Sequence, residues 1–265
     1  MADKVNVSFD LTMGQQRVRV SVNVPDGPIP ARRLLPFFQG LSHQVIDAAV
    51  RESTARGETV SCKAGCGACC RQLVPVSEIE ARQLRALVDA MPEPRRTAVR
   101  ARFEEARSRL DAAGLLTLLE DPDARAGIDG RELNRRYMTL GIPCPFLEDE
   151  SCSIHANRPV TCREYLVTSP AEHCASPSPE SVRTVPMRAH VSRALVEIET
   201  HDDRSNWIPL VLAPGWAEQR QNDPVVLRPA AEWIDGVVRR MTGSTLDESA
   251  GDGSVKPEGG PDPGT

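Results

Sequence analysis

All eight cysteines of this 265-residue chain lie between Cys62 and Cys174, and both flanks carry none. Thiols gathered in this way need a common partner, which is either one another as disulfides or a thiophilic metal. A chain of this length can bury a core without covalent staples, so size does not demand disulfides. The N-terminal MADKVNVSFD lacks the basic region and apolar run of a secretory signal. A cytoplasmic location is therefore expected. Thiols stay reduced there, and clustered ones are read as metal ligands.

Composition narrows the function classes. With 40% hydrophobic and 26% charged residues and a formal net charge of -5, the chain has no general attraction for nucleic acid or an anionic membrane. No stretch approaches the ~18 apolar residues that argue for a membrane span. Neither nucleic acid nor membrane is expected as a partner, while a protein partner of unknown identity is left open.

Hydrophobic period gives the elements. Val5, Val7, Phe9 and Leu11 alternate with polar residues, and Val18, Val20, Val22 and Val24 do so again after Gly14, which predicts a β-hairpin. Beyond a Pro-rich joint, Leu34, Phe38, Leu41, Val45 and Ala49 mark an amphipathic helix ending near Gly57. Ser77 with Glu80 forms the pattern of a capping box before Ile79, Leu84, Leu87, Val88 and Met91. Pro92 and Pro94 stop that helix, and Val99, Phe103, Ala106 and Leu110 begin another, which together predict a helical hairpin. Further helices are expected over 131–140, around Val191 to Ile198, and around Trp233 to Met241, with a strand at Val225-Val226-Leu227. Residues from about 242 onward are rich in Gly, Pro and acid and are expected to be disordered.

The cysteines form two groups. The first is Cys62-Lys63-Ala64-Gly65-Cys66-Gly67-Ala68-Cys69-Cys70, in which Gly65 and Gly67 would permit the positive φ and close approach of a metal-binding knuckle. Lys63 and Arg71 could offset the charge of several thiolates or be ordinary solvent-facing cations, and neither is given a named role. In the second group Cys144, Cys152, Cys162 and Cys174 are separated by seven, nine and eleven residues, too far for a local knuckle. These spacings suit loops converging on one centre, so the two groups are expected to meet, with Arg71 to Gly141 as an excursion between them. Closing such a loop costs little extra, roughly 0.6 kcal/mol per doubling of its length. Eight thiols suffice for two four-ligand sites or for one site with reserve thiols. His155 and His173 neighbour cysteines and are secondary candidates as ligands. Arg158, Arg163 and Tyr165 are expected to support the site by hydrogen bonds, and Glu164 to pair with an Arg and fix a loop rather than to serve as a proton acceptor. His201, remote from every cysteine in sequence, is expected to take no part.

The order C-x3-C-x2-C-C, P-C-P-F-L, C-x-I, R-P-x-x-C-R-x-Y and a last Cys resembles the bacterial cysteine-cluster proteins of the YkgJ type, described as zinc- or iron-chelating. The resemblance covers about residues 62–174, without the hairpin, the helical insertion or the C-terminal region. It implies a metal ligated by Cys62, Cys66, Cys69, Cys70, Cys144, Cys152, Cys162 and Cys174, held as an iron–sulfur cluster of the 4Fe-4S kind or as Zn2+. Flagellin lysine N-methylases are a more remote similarity. The spacing of Cys62, Cys66 and Cys69 also matches that of radical S-adenosylmethionine enzymes, but those need strand–helix alternation after the motif, and two amphipathic helices follow here. Nucleophile elbow, zinc-protease, Walker and dinucleotide motifs are absent.

The resulting expectation is a mostly helical α+β chain with a hairpin and joint at 1–30, a cysteine-cluster metal-binding domain at 31–241 with a helical insertion at about 77–141, and a tail at 242–265. The expected function is metal binding with no assigned reaction. The alternatives are a structural or storage zinc protein acting through a partner, and a cysteine-cluster lysine methyltransferase.

Overall fold

The computed structural model describes residues 4–13, 16–198 and 207–242, so His201 and the expected tail beyond Thr242 lie outside the described residues. Strands β1 (Lys4–Met13) and β2 (Gln16–Pro25) pair antiparallel, with Val5 opposite Val24, Val7 opposite Val22 and Phe9 opposite Val20. The alternation puts Val7, Phe9 and Val24 on a buried face. On the other face Asn6 donates to Ser21 and Asn23, and Ser8 donates to Ser21. Strand β3 (Pro28–Ile29) then leads into α1 (Leu35–Ala55), which stops where Gly57 takes φ +80°, as the sequence predicts.

Helix α1 buries Phe38, Leu41 and Val45 in one core with the hairpin, with Leu195 of α7 (Val191–Glu197), and with Trp233 and Ile234 of α9 (Ala230–Thr242). Trp233 also donates its indole N–H to the Ile29 carbonyl at 2.8 Å, tying the last helix to the joint after the hairpin. There β3 pairs with β8 (Arg228–Pro229). The strand expected at Val225-Val226-Leu227 does not form. These residues have no pairing partner and are exposed, and the pairing begins only at Arg228.

A second core holds the middle of the chain. Strand β4 (Pro75–Val76) precedes α2 (Glu78–Asp89), which opens on the expected capping box: Ser77 N–H and Oγ both donate to Glu80, at 3.0 and 2.8 Å. Next come α3 (Arg95–Ala112), α4 (Leu116–Glu120) and α5 (Gly130–Met138), the last capped by Asp129. Strands β5 (Leu147–Glu148) and β6 (Ser151–Cys152) form a short hairpin before α6 (Val160–Glu164). Strand β7 (Ile208–Pro209) pairs with β4, and α8 (Ala213–Gln219) packs on α2.

The helical insertion is thus not a freestanding excursion. Val76, Leu84, Val88, Val99 and Phe103 share their core with Ile208, Leu210 and Ala213 from the far end of the chain, and with Phe146 and Ile154 from the second cysteine group. Both α4 and α8 escaped the sequence reading. Leu116–Glu120 is too short to display a period, and Pro214 and Gly215 punctuate Ala213–Gln219 like a loop.

Candidate metal centre

The first cysteine group is a run of tight turns. Cys66 N–H donates to Lys63 O at 3.2 Å, Cys70 N–H to Gly67 O at 2.9 Å, and Gln72 N–H to Cys69 O at 3.1 Å. The two glycines act as expected, each in one of the two roles. Gly65 takes φ +85°, in the left-handed region that a side chain resists. Gly67 allows contact: a Cβ there would stand 2.5 Å from the Glu150 carbonyl oxygen and 2.6 Å from Leu147 Cδ1. The knuckle therefore lies directly on the β5–β6 hairpin of the second group.

That hairpin turns through Asp149 (φ 48°) and Glu150 (φ 55°), the two left-handed residues of a tight two-residue turn. Glu is a poor choice for this conformation, yet here its carboxylate takes two parallel hydrogen bonds from Arg71, at 2.9 and 2.6 Å. Arg71, to which the sequence assigns no role, clasps the two groups together. One more bond joins them directly, from Cys144 N–H to Cys70 O at 2.7 Å. Helix α3 holds the hairpin from behind. Phe103 packs edge-on against Phe146 with ring centres 5.3 Å apart, and Arg102 donates to Pro145 O and to Glu148.

The consequence is the expected meeting of the two groups. Cys66, Cys69 and Cys70 from the first and Cys144, Cys152 and Cys162 from the second line one cleft, of about 780 Å³ counted out to its open mouth. Its apolar wall comes from Leu73, Val74, Phe146, Ile154 and Leu210. Cys62 and Cys174 are not among its lining residues. The Cys62 sulfur accepts the Val167 N–H at 3.3 Å, and Cys174 is buried, its carbonyl held by Gln72 at 2.9 Å. His155 lines the same cleft, whereas His173 is turned to the Ser181 carbonyl, 2.8 Å away.

Electrostatics keep most of these thiols protonated. Burial pushes Cys144 up to about 12 and Cys162 well above the usual thiol range, and it raises Cys62 and Cys152 as well. Cys174 is pushed up to about 11 by burial, against a hydrogen bond with Tyr165. Cys69 alone among the shifted thiols moves down, to about 7, because the adjacent Cys70 thiol hydrogen-bonds to it, and Cys70 is raised in turn. A cation entering the cleft must therefore displace protons, so its uptake weakens as pH falls.

Among the described residues, no group of three or more His, Cys, Asp or Glu side chains could hold an ion as it stands. Closing thiols on a metal would require side-chain rotation within the cleft. The donor set nonetheless suits zinc or iron, both of which take thiolates. An orphaned donor suits them too: Arg158 lines the cleft with its Nε buried and without a partner. Its charge favours the thiolate forms of Cys62, Cys69 and Cys152. A buried guanidinium N–H without an acceptor is costly, and a thiolate is an acceptor that could satisfy it.

Two expected supporting roles are corrected. Glu164 does not pair with an Arg. It accepts Val191 N–H at 2.9 Å and Ser192 Oγ at 2.5 Å, holding the N-terminus of α7, and takes Ser42 Oγ of α1 at 3.2 Å. Arg163 instead donates to the carbonyls of Arg158 and Ala156, at 2.9 and 2.6 Å, and braces the loop that carries Arg158. Gln72, missed in the sequence, donates to Tyr165 Oη and to the Cys174 carbonyl. No local pattern marks a lone Gln as a bridge of this kind.

Residues 61–180 match the model of a family described as "CxxCxxCC: Putative zinc- or iron-chelating domain". Over this span the chain is similar to that family. The matched span starts one residue before Cys62 and ends beyond Cys174, and it runs through the helical insertion that the sequence resemblance had left out. No curated protein and no solved structure matches the chain.

Proposed function

We propose that this chain binds a thiophilic metal through Cys62, Cys66, Cys69, Cys70, Cys144, Cys152, Cys162 and Cys174, held as Zn2+ or as an iron–sulfur cluster. The observation that carries this reading is the convergence of six thiols from two distant segments on one apolar-walled cleft that also holds the unpartnered Arg158 Nε. Apolar surroundings limit water at the sulfurs and strengthen charge interactions there. Zinc would supply structural closure without redox chemistry, and an iron–sulfur cluster would supply one-electron chemistry. In either case the residues around the thiols have the same tasks: Gly67 and the Arg71–Glu150 clasp hold the two groups together, and Arg158 offsets thiolate charge.

The test is metal and acid-labile sulfide analysis of anaerobically purified protein, with its visible spectrum. Iron and sulfide with absorption from sulfur-to-iron charge transfer would assign a cluster, and zinc in a colourless protein would assign Zn2+. Cys66→Ser and Cys162→Ser should each lower metal content and stability together, because a weaker oxygen donor forfeits binding free energy that is also folding free energy. His43→Ala, on the exposed side of α1 facing Asp47, should change neither. Equal metal content in all three variants would overturn the assignment.

A further inference from the structure

We propose that the outer edge of β1 is a self-pairing surface, on which a second copy of this chain lays its own β1 antiparallel about Val7 to make a four-stranded sheet. The proposal is independent of the metal-binding reading above.

The edge is open and lacks the usual protection. Among the described residues β1 pairs with β2 and with no other strand, and it is β2 that lies against α9, which leaves β1 outermost. The register runs from Lys4 opposite Pro25 to Met13 opposite Gln16 without a bulge. A long regular edge presents a row of backbone N–H and C=O groups, and proteins ordinarily blunt it with Pro, a bulge or charges that repel a copy of themselves. β1, KVNVSFDLTM, has no Pro, and its two charges, Lys4 and Asp10, are opposite in sign. β2 is blunted by contrast: it carries Arg17 and Arg19 without an acid and ends on Pro25.

The sequence of β1 is complementary to itself. With Val7 opposite Val7 of the second copy, Val5 faces Phe9, Asn6 faces Ser8 and Lys4 faces Asp10, each of these pairings occurring twice by the two-fold symmetry. Val5 is 38% exposed, whereas Val7 and Phe9 on the same face are buried. A β-branched side chain beside an aromatic ring is a favourable cross-strand pair, and this one would cover Val5. On the opposite face Ser8 Oγ donates to Asn6 at 2.7 Å and Asn6 Nδ2 to Asn23 at 3.0 Å, a polar ladder that Ser8 of the second copy would extend. Asp10 stands opposite Arg19 within the hairpin, so in the dimer its carboxylate would lie between Arg19 and Lys4 of the second copy.

Register follows from the same residues. Slipping the second copy by one residue sets apolar against polar side chains along the whole edge, and slipping it by two separates Lys4 from Asp10. A strand pair over Lys4–Asp10 is a small interface beside the ~1,600 Å² of a standard one, so the dimer should form and dissociate with protein concentration.

The test is sedimentation velocity of the full chain as purified, from low micromolar to millimolar concentration, with amide hydrogen exchange at both ends of that range. Wild-type protein should pass from monomer to dimer, and the protection gained should fall on β1. Lys4→Glu should weaken the dimer about ten- to hundredfold, because it sets like charges opposite one another twice. Asp10→Lys should do the same. An equal mixture of the two variants should recover the dimer, since each copy then offers the charge that the other lacks. Far-UV circular dichroism checks that each variant is folded; should Asp10→Lys fail to fold, Lys4→Glu and the wild-type exchange pattern decide. A wild-type chain that stays monomeric throughout, or a dimer that protects another segment and ignores Lys4→Glu, would overturn the proposal.

Discussion

The half of the molecule without cysteines and the half that carries them are built by different means. Around Trp233 the hairpin, α1, α7 and α9 close over large apolar side chains, with Phe9, Phe38, Leu195 and Ile234 almost fully buried. Around Cys69 the chain runs in turns, a two-residue hairpin and a single turn of helix, and what aligns these pieces is a glycine contact, an Arg–Glu clasp and backbone bonds between segments. One half uses area removed from water, which scales with side-chain size and tolerates variation. The other adds specific contacts between segments to the apolar core that Phe146 and Ile154 share with α2 and α3. Only Val160 and Ile79 of the cysteine-bearing stretch join the apolar half's core.

The largest expected effect falls on the apolar half. Trp233→Ala removes a side chain that is 1% exposed and leaves both a cavity and an unpaired Ile29 carbonyl, so unfolding should become easier by about 3 to 5 kcal/mol. Urea unfolding measures this, and the metal-to-chain ratio of the folded fraction should stay at the wild-type value. A stable protein that has lost its metal would erase the distinction between the halves.

Gly67→Ala should act the other way round. Its Cβ would meet the Glu150 backbone at 2.5 Å, and neither loop can yield cheaply, so the two cysteine groups are pushed apart. The cost to stability is expected at about 1 to 3 kcal/mol, as for other overpacked sites, with a disproportionate loss of metal on competition with a chelator. Metal retention equal to wild type would show that the knuckle and hairpin need not touch for the site to work.

Glu80 joins the halves and gives the smallest effect. It is fully buried in the capping box of α2 and also accepts Val160 N–H at 2.7 Å, at the start of the helix that carries Cys162. Burial, the leading cause, raises its carboxyl above 4.5 against the hydrogen bonds from Ser77 and Val160. A raised carboxyl binds more protons folded than unfolded. Its contribution is therefore fully present below the unfolded value of about 4.5 and fades as pH rises through the folded one. Glu80→Gln cannot accept all three donors and should cost about 1 kcal/mol. The difference from wild type, read from urea unfolding, should shrink as pH rises above about 4.5. A difference that widens over that range would contradict the sign.

What could be read from the sequence follows the same division. The valine alternation placed both strands of the hairpin, the three- and four-residue steps placed α1, α2, α3 and α9, and Ser77 with Glu80 placed the start of α2. These are local properties, since period and capping depend on residues within a turn or two of one another. The identity of the thiols was equally plain, and so was the need for glycine at 65 and 67. The tertiary structure alone decided that α2 lies on α8, that α3 grips the second cysteine group, that Glu164 holds α7, and that Arg71 reaches Glu150. Each of these joins residues that no period links, some of them more than a hundred positions apart. The sequence by itself determined which side chains the chain offers to a metal, because that is a matter of chemistry. Which of them line one cleft was decided by packing between distant segments.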